Sequence, residues 1–159
     1  MKPARGKPSA RIQELNDSLE QLHFALRRIT ETPNAILARR GLRRAHQRIL
    51  FFVARRQGLS VNDLLRELRV TKQALHAPLN QLKARKLVQV RPSPGDRRRK
   101  ELFLTPAGTE LEAQLTGPQR ERLEQALRRV GPSSGRIWRQ VLREIAGPPE
   151  PTLGGFEDP

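Results

Sequence analysis

Apolar residues recur along most of this chain at helical spacing, and one short stretch switches to the alternation of β-strands. From Arg11 to Thr30 the positions Ile12, Leu15, Leu19, Leu22, Leu26 and Ile29 are separated by 3, 4, 3, 4 and 3 residues. That is a heptad seam, a narrow stripe along one long amphipathic helix. Thr32-Pro33-Asn34 predicts the end of this helix, because proline offers no N–H to the ladder and crowds the preceding turn. A second helix is expected from Ala35 or Leu42 to Arg56, with Leu42, Ala45, Ile49, Leu50 and Val53 inward, and Gln57-Gly58-Leu59 stops it.

Ser60 is a good N-cap, and Val61, Leu64, Leu65 and Leu68 then fall on one helical face. Arg69-Val70 predicts a tight turn, and Thr71 caps the next helix, whose Leu75, Leu79 and Leu82 point inward. At about 100° per residue, Gln73, Ala77, Asn80 and Ala84 lie on the opposite face, flanked by His76 and Lys83. Leu87–Arg91 alternates as a strand, Pro92-Ser93-Pro94-Gly95-Asp96 is turn chemistry, and Lys100–Leu104 returns as a second strand. Thr105-Pro106 starts a helix with a cap and a proline at its first position. That helix carries Leu111, Leu115, Leu123, Leu127 and Val130, and Gly117-Pro118 is expected to kink or split it. Gly131-Pro132 ends it. Ser133 or Ser134 caps a last helix with Ile137, Trp138, Val141, Leu142 and Ile145 on one side. The expected fold is therefore mainly α with a small β-hairpin, and helix–turn–helix–hairpin is the order of a winged helix-turn-helix.

Charge sharpens this picture. Residues 39–100 hold 18 Lys and Arg against 3 Asp and Glu, so the whole formal net charge of +15 sits on the segment with that pattern. The flanking parts carry only +2 and −2. A field so localised draws in a polyanion by counterion release. Combined with the motif, it favours duplex DNA over RNA or an acidic membrane.

Composition removes other classes. There is no cysteine, which excludes disulfides and Cys-containing zinc sites. No His-Glu-x-x-His, phosphate-cradling glycine loop or Gly-x-Ser-x-Gly is present, and the three histidines are scattered, so no enzyme, metal site or cofactor is expected. No apolar run reaches the roughly 18 residues of a membrane helix. The charged start Met1-Lys2-Pro3-Ala4-Arg5-Gly6-Lys7-Pro8 has no apolar stretch behind it, so it is not read as a signal peptide and the protein is placed in the cytoplasm. Five Phe, one Trp and no Tyr give little support to base stacking on single strands.

Five pieces carry a resemblance to a known family: His46-Gln47-Arg48-Ile49-Leu50, Leu59-Ser60-Val61-Asn62-Asp63-Leu64-Leu65, Val70-Thr71-Lys72-Gln73-Ala74-Leu75, Leu87-Val88, and Gly95-Asp96-Arg97-Arg98-Arg99-Lys100 followed by Leu104-Thr105-Pro106-Ala107-Gly108. In this order and spacing, over roughly residues 12–146, the chain resembles the MarR family of bacterial transcription regulators. The last piece is the most specific, being similar to the family's wing signature Asp-x-Arg followed by Leu-Thr-x-x-Gly. The resemblance implies an α-helical homodimer with two winged helix-turn-helix lobes. It implies a palindromic operator, and repression released by a small aromatic or phenolic effector.

On that basis the chain divides into a disordered basic tail (1–10), an N-terminal dimerisation helix (11–34) and a DNA-binding lobe (35–105). Dimerisation helices (106–146) and a flexible Pro/Gly-rich tail (147–159) follow. In the recognition helix the expected DNA contacts are Thr71, Lys72, Gln73, His76, Asn80 and Lys83; Gln and Asn suit adenine, and the lysines suit phosphate. In the wing they are Arg97, Arg98, Arg99 and Lys100, with Arg98 the candidate for the minor groove and Asp96 a structural residue that orients an arginine. Not all four cations can face DNA from one hairpin. The dimer interface is expected to use Ile12, Leu15, Leu19, Leu22, Leu26 and Ile29 with Ile137, Trp138, Val141 and Leu142. His23 and His46 are the polar residues expected near an effector. Pro78 predicts a bend in the recognition helix, and Lys86 stands where the family places glycine. The alternative class is an architectural nucleic-acid-binding protein driven by segment 39–100 alone. An operator preference separates the two.

Overall fold

The computed structural model describes residues 9–96 and 98–148. Most of the two expected tails, and Arg97 of the wing, lie outside the described residues. The chain forms two compact units, residues 1–31 and 32–159. The elements are α1 (Ala10–Arg39), α2 (Arg44–Arg55), β1 (Leu59–Ser60), α3 (Val61–Leu68), α4 (Lys72–Ala84), β2 (Val88–Pro92), β3 (Lys100–Leu104), α5 (Pro106–Val130) and α6 (Ser134–Ala146). The fold is thus mainly helical with a small antiparallel sheet, ordered β1-β3-β2.

In the first unit, Ile12, Leu15, Leu19, Leu22 and Leu26 are all exposed, Leu19 at 64%. In the second unit the inward stripes of the helices meet on the sheet. Ile49, Leu50 and Val53 of α2, Leu64 and Leu68 of α3, and Leu75 and Leu82 of α4 are fully buried with Leu102 of β3 and Leu111 and Leu115 of α5. β2 and β3 pair with Val88 opposite Leu104 and Val90 opposite Leu102. Val88, Val90, Leu102 and Leu104, alternate residues of the hairpin, therefore face this core.

Three expectations need correction. Thr32-Pro33-Asn34 does not end the first helix, which runs through to Arg39. Pro33 is fully buried, and that burial offsets the hydrogen bond its ring removes. The helix ends instead at Gly41 (φ +61), where Leu42 N–H donates to Leu37 C=O at 2.9 Å and Gly41 N–H to Ala38 C=O at 3.1 Å, a Schellman closure. Gly117-Pro118 does not split α5, which is one helix of 25 residues. The turns flanking this pair are held independently, by Leu111 and Leu115 in the core and by Gln119, whose Oε1 accepts from Gln47 Nε2 at 3.0 Å. Finally, Leu59-Ser60 is not merely a helix stop. It pairs with β3 as Leu59 opposite Leu102 and Ser60 opposite Glu101.

Candidate nucleic-acid interface

The site is built from α3, α4 and the β2–β3 hairpin. Ser60 Oγ accepts the Asp63 backbone N–H at 3.1 Å, and the Asp63 carboxylate accepts from Ser60 N–H at 3.3 Å, a reciprocal cap that starts α3. The turn into α4 is another Schellman closure: Val70 N–H donates to Leu65 C=O and Arg69 N–H to Arg66 C=O, both at 3.3 Å. Arg69 occupies the left-handed region there (φ 54, ψ 45), a strain of about 1 kcal/mol for a non-glycine. The Arg48 guanidinium donates to Leu68 C=O at 2.8 Å and satisfies one of the helix-end carbonyls. These bonds fix where α4 begins, and Thr71 Oγ1 then accepts from Ala74 N–H at 3.2 Å.

Leu75, Leu79 and Leu82 bury one side of α4, which leaves Lys72, Gln73, His76, Ala77, Asn80, Lys83 and Ala84 exposed. Asn80 Nδ2 lies 3.0 Å from His76 Nε2, and Lys83 Nζ donates to Asn80 Oδ1 at 3.5 Å. The structure thus places His76, Asn80 and Lys83 in one chain of polar contacts, with Gln73 one turn earlier. α4 is continuous through Pro78. It closes with Leu87 N–H on Leu82 C=O and Lys86 N–H on Lys83 C=O, both at 2.9 Å, with Lys86 at φ +56.

The wing is anchored at both ends. At its tip Asp96 Oδ1 accepts the Arg98 backbone N–H at 2.9 Å, and Arg99 N–H donates to Asp96 C=O at 2.9 Å. Arg98 and Lys100 are exposed. Arg99 turns back and pairs with Asp63 at 3.3 Å, so one wing cation ties the hairpin to α3. Asp63 also pairs with Arg66. The Ser60 hydroxyl, donating at 2.6 Å, is the first reason the Asp63 carboxyl is held below the usual carboxylate range; Arg66 adds to it. Arg91 stacks over Phe103, its guanidinium 5.0 Å from the ring centre.

At the base of the wing, Thr105 Oγ1 donates to Lys86 C=O at 2.7 Å and Thr105 N–H to Leu87 C=O at 3.1 Å. Gly108 faces the same carbonyl so closely that a Cβ there would lie 1.9 Å from the Leu87 oxygen. The Leu-Thr-Pro-x-Gly pattern is therefore a joint between α4, the hairpin and α5.

His46, in α2, is buried. Its Nδ1 accepts the Arg43 N–H at 2.9 Å and its Nε2 lies 2.6 Å from Gln81 Oε1, so both ring nitrogens are engaged within the protein. His23 is exposed and meets Phe24 edge-on. Ile137, Val141 and Leu142 of α6 are exposed, while Ile29 and Trp138 are half-buried. Sequence reasoning missed Asp63 as the wing's anchor, and Gln81 and Arg48 as supports of α4. Only Asp63 gave a signal, since Ser-x-x-Asp is a capping pattern.

Among the described residues no helix is long and apolar enough to cross a membrane. A family model described as MarR family matches residues 40–99. The chain is 38% identical over 136 residues to the HTH-type transcriptional regulator PetP of Rhodobacter capsulatus, covering 86% of this chain and 82% of that protein. Its fold is similar to that of a MarR-family transcriptional regulator from Silicibacter pomeroyi (TM-score 0.64, 20% identity, 80% of this chain and 86% of that one). It is also similar to a mutant S. aureus MepR bound to an oligodeoxyribonucleotide (TM-score 0.58, 18% identity, 81% and 95%).

Proposed function

This chain belongs to the MarR family of DNA-binding winged helix-turn-helix transcription regulators, and from that premise we propose that it is a homodimeric repressor of a palindromic operator. The observation that carries the reading is the exposed face of α4, with Gln73, His76 and Asn80, beside a wing whose Arg99 is pinned to Asp63 while Arg98 is exposed. Gln73 and Asn80 suit adenine in the major groove, and Thr71, Lys72 and Lys83 suit the phosphates around it. Arg98 and Lys100 suit the minor groove, where narrow A·T tracts attract cations. The structure of MepR with an oligodeoxyribonucleotide supports the same use of this fold.

Dimerisation is supported by the exposed apolar side chains. Six large ones on α1 and four on α6 (Ile137, Val141, Leu142, Ile145) are between 38% and 68% exposed in a single chain. Covering each would yield about 1 kcal/mol. Summed over two chains this is of the order needed against an association cost of about 4–15 kcal/mol. Two recognition helices one DNA turn apart, about 34 Å, then read a palindrome. A dimer that covers its operator represses by excluding other proteins from it.

An aromatic-acid effector is the remaining part of the proposal. A groove of about 410 Å³ lies between Ile36, Arg39 and Arg40 on one side and Ala113, Gln114, Gly117, Pro118 and Glu121 of α5 on the other. Its size and its arginines suit a small anionic ring. Selection of genomic fragments by the purified protein, followed by footprinting, tests the reading. Recovery of a palindrome, protected in two half-sites about ten base pairs apart, is expected. Uniform enrichment of all fragments would leave only phosphate binding, the architectural alternative.

A further inference from the structure

We propose that His46 is a positioning residue for the recognition helix: as its neutral Nε2–H tautomer it ties the N-terminal cap of α2 to Gln81, and so sets the direction in which α4 presents its exposed face. This rests on the reading that α4 contacts bases.

The tautomer follows from the partners. The Arg43 backbone N–H can only donate, and it lies 2.9 Å from Nδ1. Nδ1 also lies 3.3 Å from the Arg43 carbonyl oxygen, but the shorter contact, from the N–H, gives Nδ1 the lone pair and puts the proton on Nε2, which meets Gln81 Oε1 at 2.6 Å. One ring thus supplies the missing acceptor for the Arg43 N–H at the start of α2 and holds a residue 35 positions away on α4.

The recognition helix has a particular need for such a tie. Pro78 has no N–H to give the Ala74 carbonyl, so the ladder of α4 is interrupted between the turn of Gln73 and that of Asn80. The first half is held by the Thr71 cap. The second half is held from outside, by Gln81 on His46 and by Arg85 on the Arg40 carbonyl. Leu79 and Leu82 bury that half, but apolar burial is non-directional, whereas two fixed hydrogen bonds orient it.

The tie is also sensitive to protons. An imidazolium would lose the Arg43 N–H bond at 2.9 Å and keep at Nδ1 only the longer contact to the Arg43 carbonyl oxygen at 3.3 Å. The charged groups acting on the ring are both cations, Arg85 from the C-cap of α4 and Arg43 from the cap of α2. Burial first, and these cations with it, hold the His46 pKa below its ordinary value, against the contacts to Gln81 and to the Arg43 carbonyl oxygen, 3.3 Å from Nδ1, that raise it. The unfolded chain therefore takes up the proton first. The stability contributed by neutral His46 is complete above about pH 6.5 and is lost as pH falls from there through the lower folded pKa.

The test has two parts. In free protein, long-range ¹⁵N–¹H NMR of His46 is expected to report protonated Nε2, bare Nδ1 and a titration midpoint below 6.5. Gln81→Glu puts a carboxylate on Nε2–H and should raise that midpoint; a midpoint that does not move overturns the proposed bond. In binding, the enriched palindrome is compared with a scrambled duplex of equal length. His46→Phe keeps the ring shape but loses both bonds, and Gln81→Leu loses the acceptor. Both should lower the palindrome-to-scrambled affinity ratio about tenfold or more, the equivalent of one mismatched base pair, while scrambled-duplex affinity stays unchanged. A wild-type protein with a clear preference that both variants keep overturns the positioning role alone. A wild-type protein without any preference overturns the base-reading role of α4, and the positioning role with it.

Discussion

Replacing Gly108 by alanine tests how the wing is joined to the rest of the lobe. The added methyl would sit 1.9 Å from the Leu87 carbonyl oxygen and 2.9 Å from its carbon. A carbon and an oxygen settle at roughly 3.3–3.6 Å, so the end of α4 and the start of α5 must part by well over an ångström. The Leu87 carbonyl also accepts from Thr105 N–H at 3.1 Å and from Thr105 Oγ1 at 3.3 Å, and both bonds stretch with it. Overpacking costs about 1–3 kcal/mol, and loosening one or two hydrogen bonds adds about 1 kcal/mol each. A total of about 2–5 kcal/mol corresponds to a fall in Tm of about 10 °C for a domain of this size. Gly117→Ala is the control. Nothing lies within 4 Å of its new methyl, and alanine is favoured over glycine inside a helix by about 0.5–1 kcal/mol, so its Tm should stay level or rise. Thermal unfolding followed by circular dichroism, at one fixed protein concentration, reads both. A Gly108→Ala protein as stable as wild type would refute the argument that this glycine exists for close approach.

Other expectations follow from the same geometry. Arg98→Ala should weaken operator binding by about 1–3 kcal/mol per half-site and flatten the dependence of affinity on salt; unchanged affinity in a titration at two salt concentrations would remove Arg98 from the interface. Leu19→Glu places a carboxylate on the exposed seam of α1 and should raise the dimer dissociation constant by roughly 30-fold or more in sedimentation velocity, whereas an unaltered dimer would move the interface elsewhere. The Asp63 carboxyl is held below its ordinary range, so the stability it contributes is present above about pH 4 and lost as pH falls through its folded value. Asp63→Asn should flatten that acid limb of the unfolding curve and loosen the wing by releasing Arg99, and a limb identical to wild type would contradict it.

Much of the fold was legible because local signals and burial agree. The stripes Val61/Leu64/Leu68 and Leu75/Leu79/Leu82, the caps Ser60, Thr71 and Thr105, and the turn chemistry before the wing all point one way, and the helices and strands lie there. The proline at 33 misled because its cost is local while its compensation is tertiary: the ring is buried. The end of α1 is marked instead by Gly41, at φ +61. The short strand Leu59-Ser60 has no pattern of its own and exists only through its pairing with Leu102 and Glu101. At the candidate site, exposed residues of α4 could be placed on a face by periodicity. The supports, namely Asp63 to Arg99, His46 to Gln81 and Arg48 to Leu68, join residues up to 36 positions apart, and no spacing rule reports them.

The most direct test of the central claim is the affinity of the purified protein for the enriched palindrome and for a scrambled duplex, measured side by side from low salt to above physiological strength. A repressor that reads bases through α4 and the wing is expected to prefer the palindrome by about 10³ or more at physiological salt. It should keep most of that preference as both affinities fall. A ratio near one, with both affinities collapsing together as salt rises, would contradict the account and leave a basic surface that holds phosphates without reading sequence.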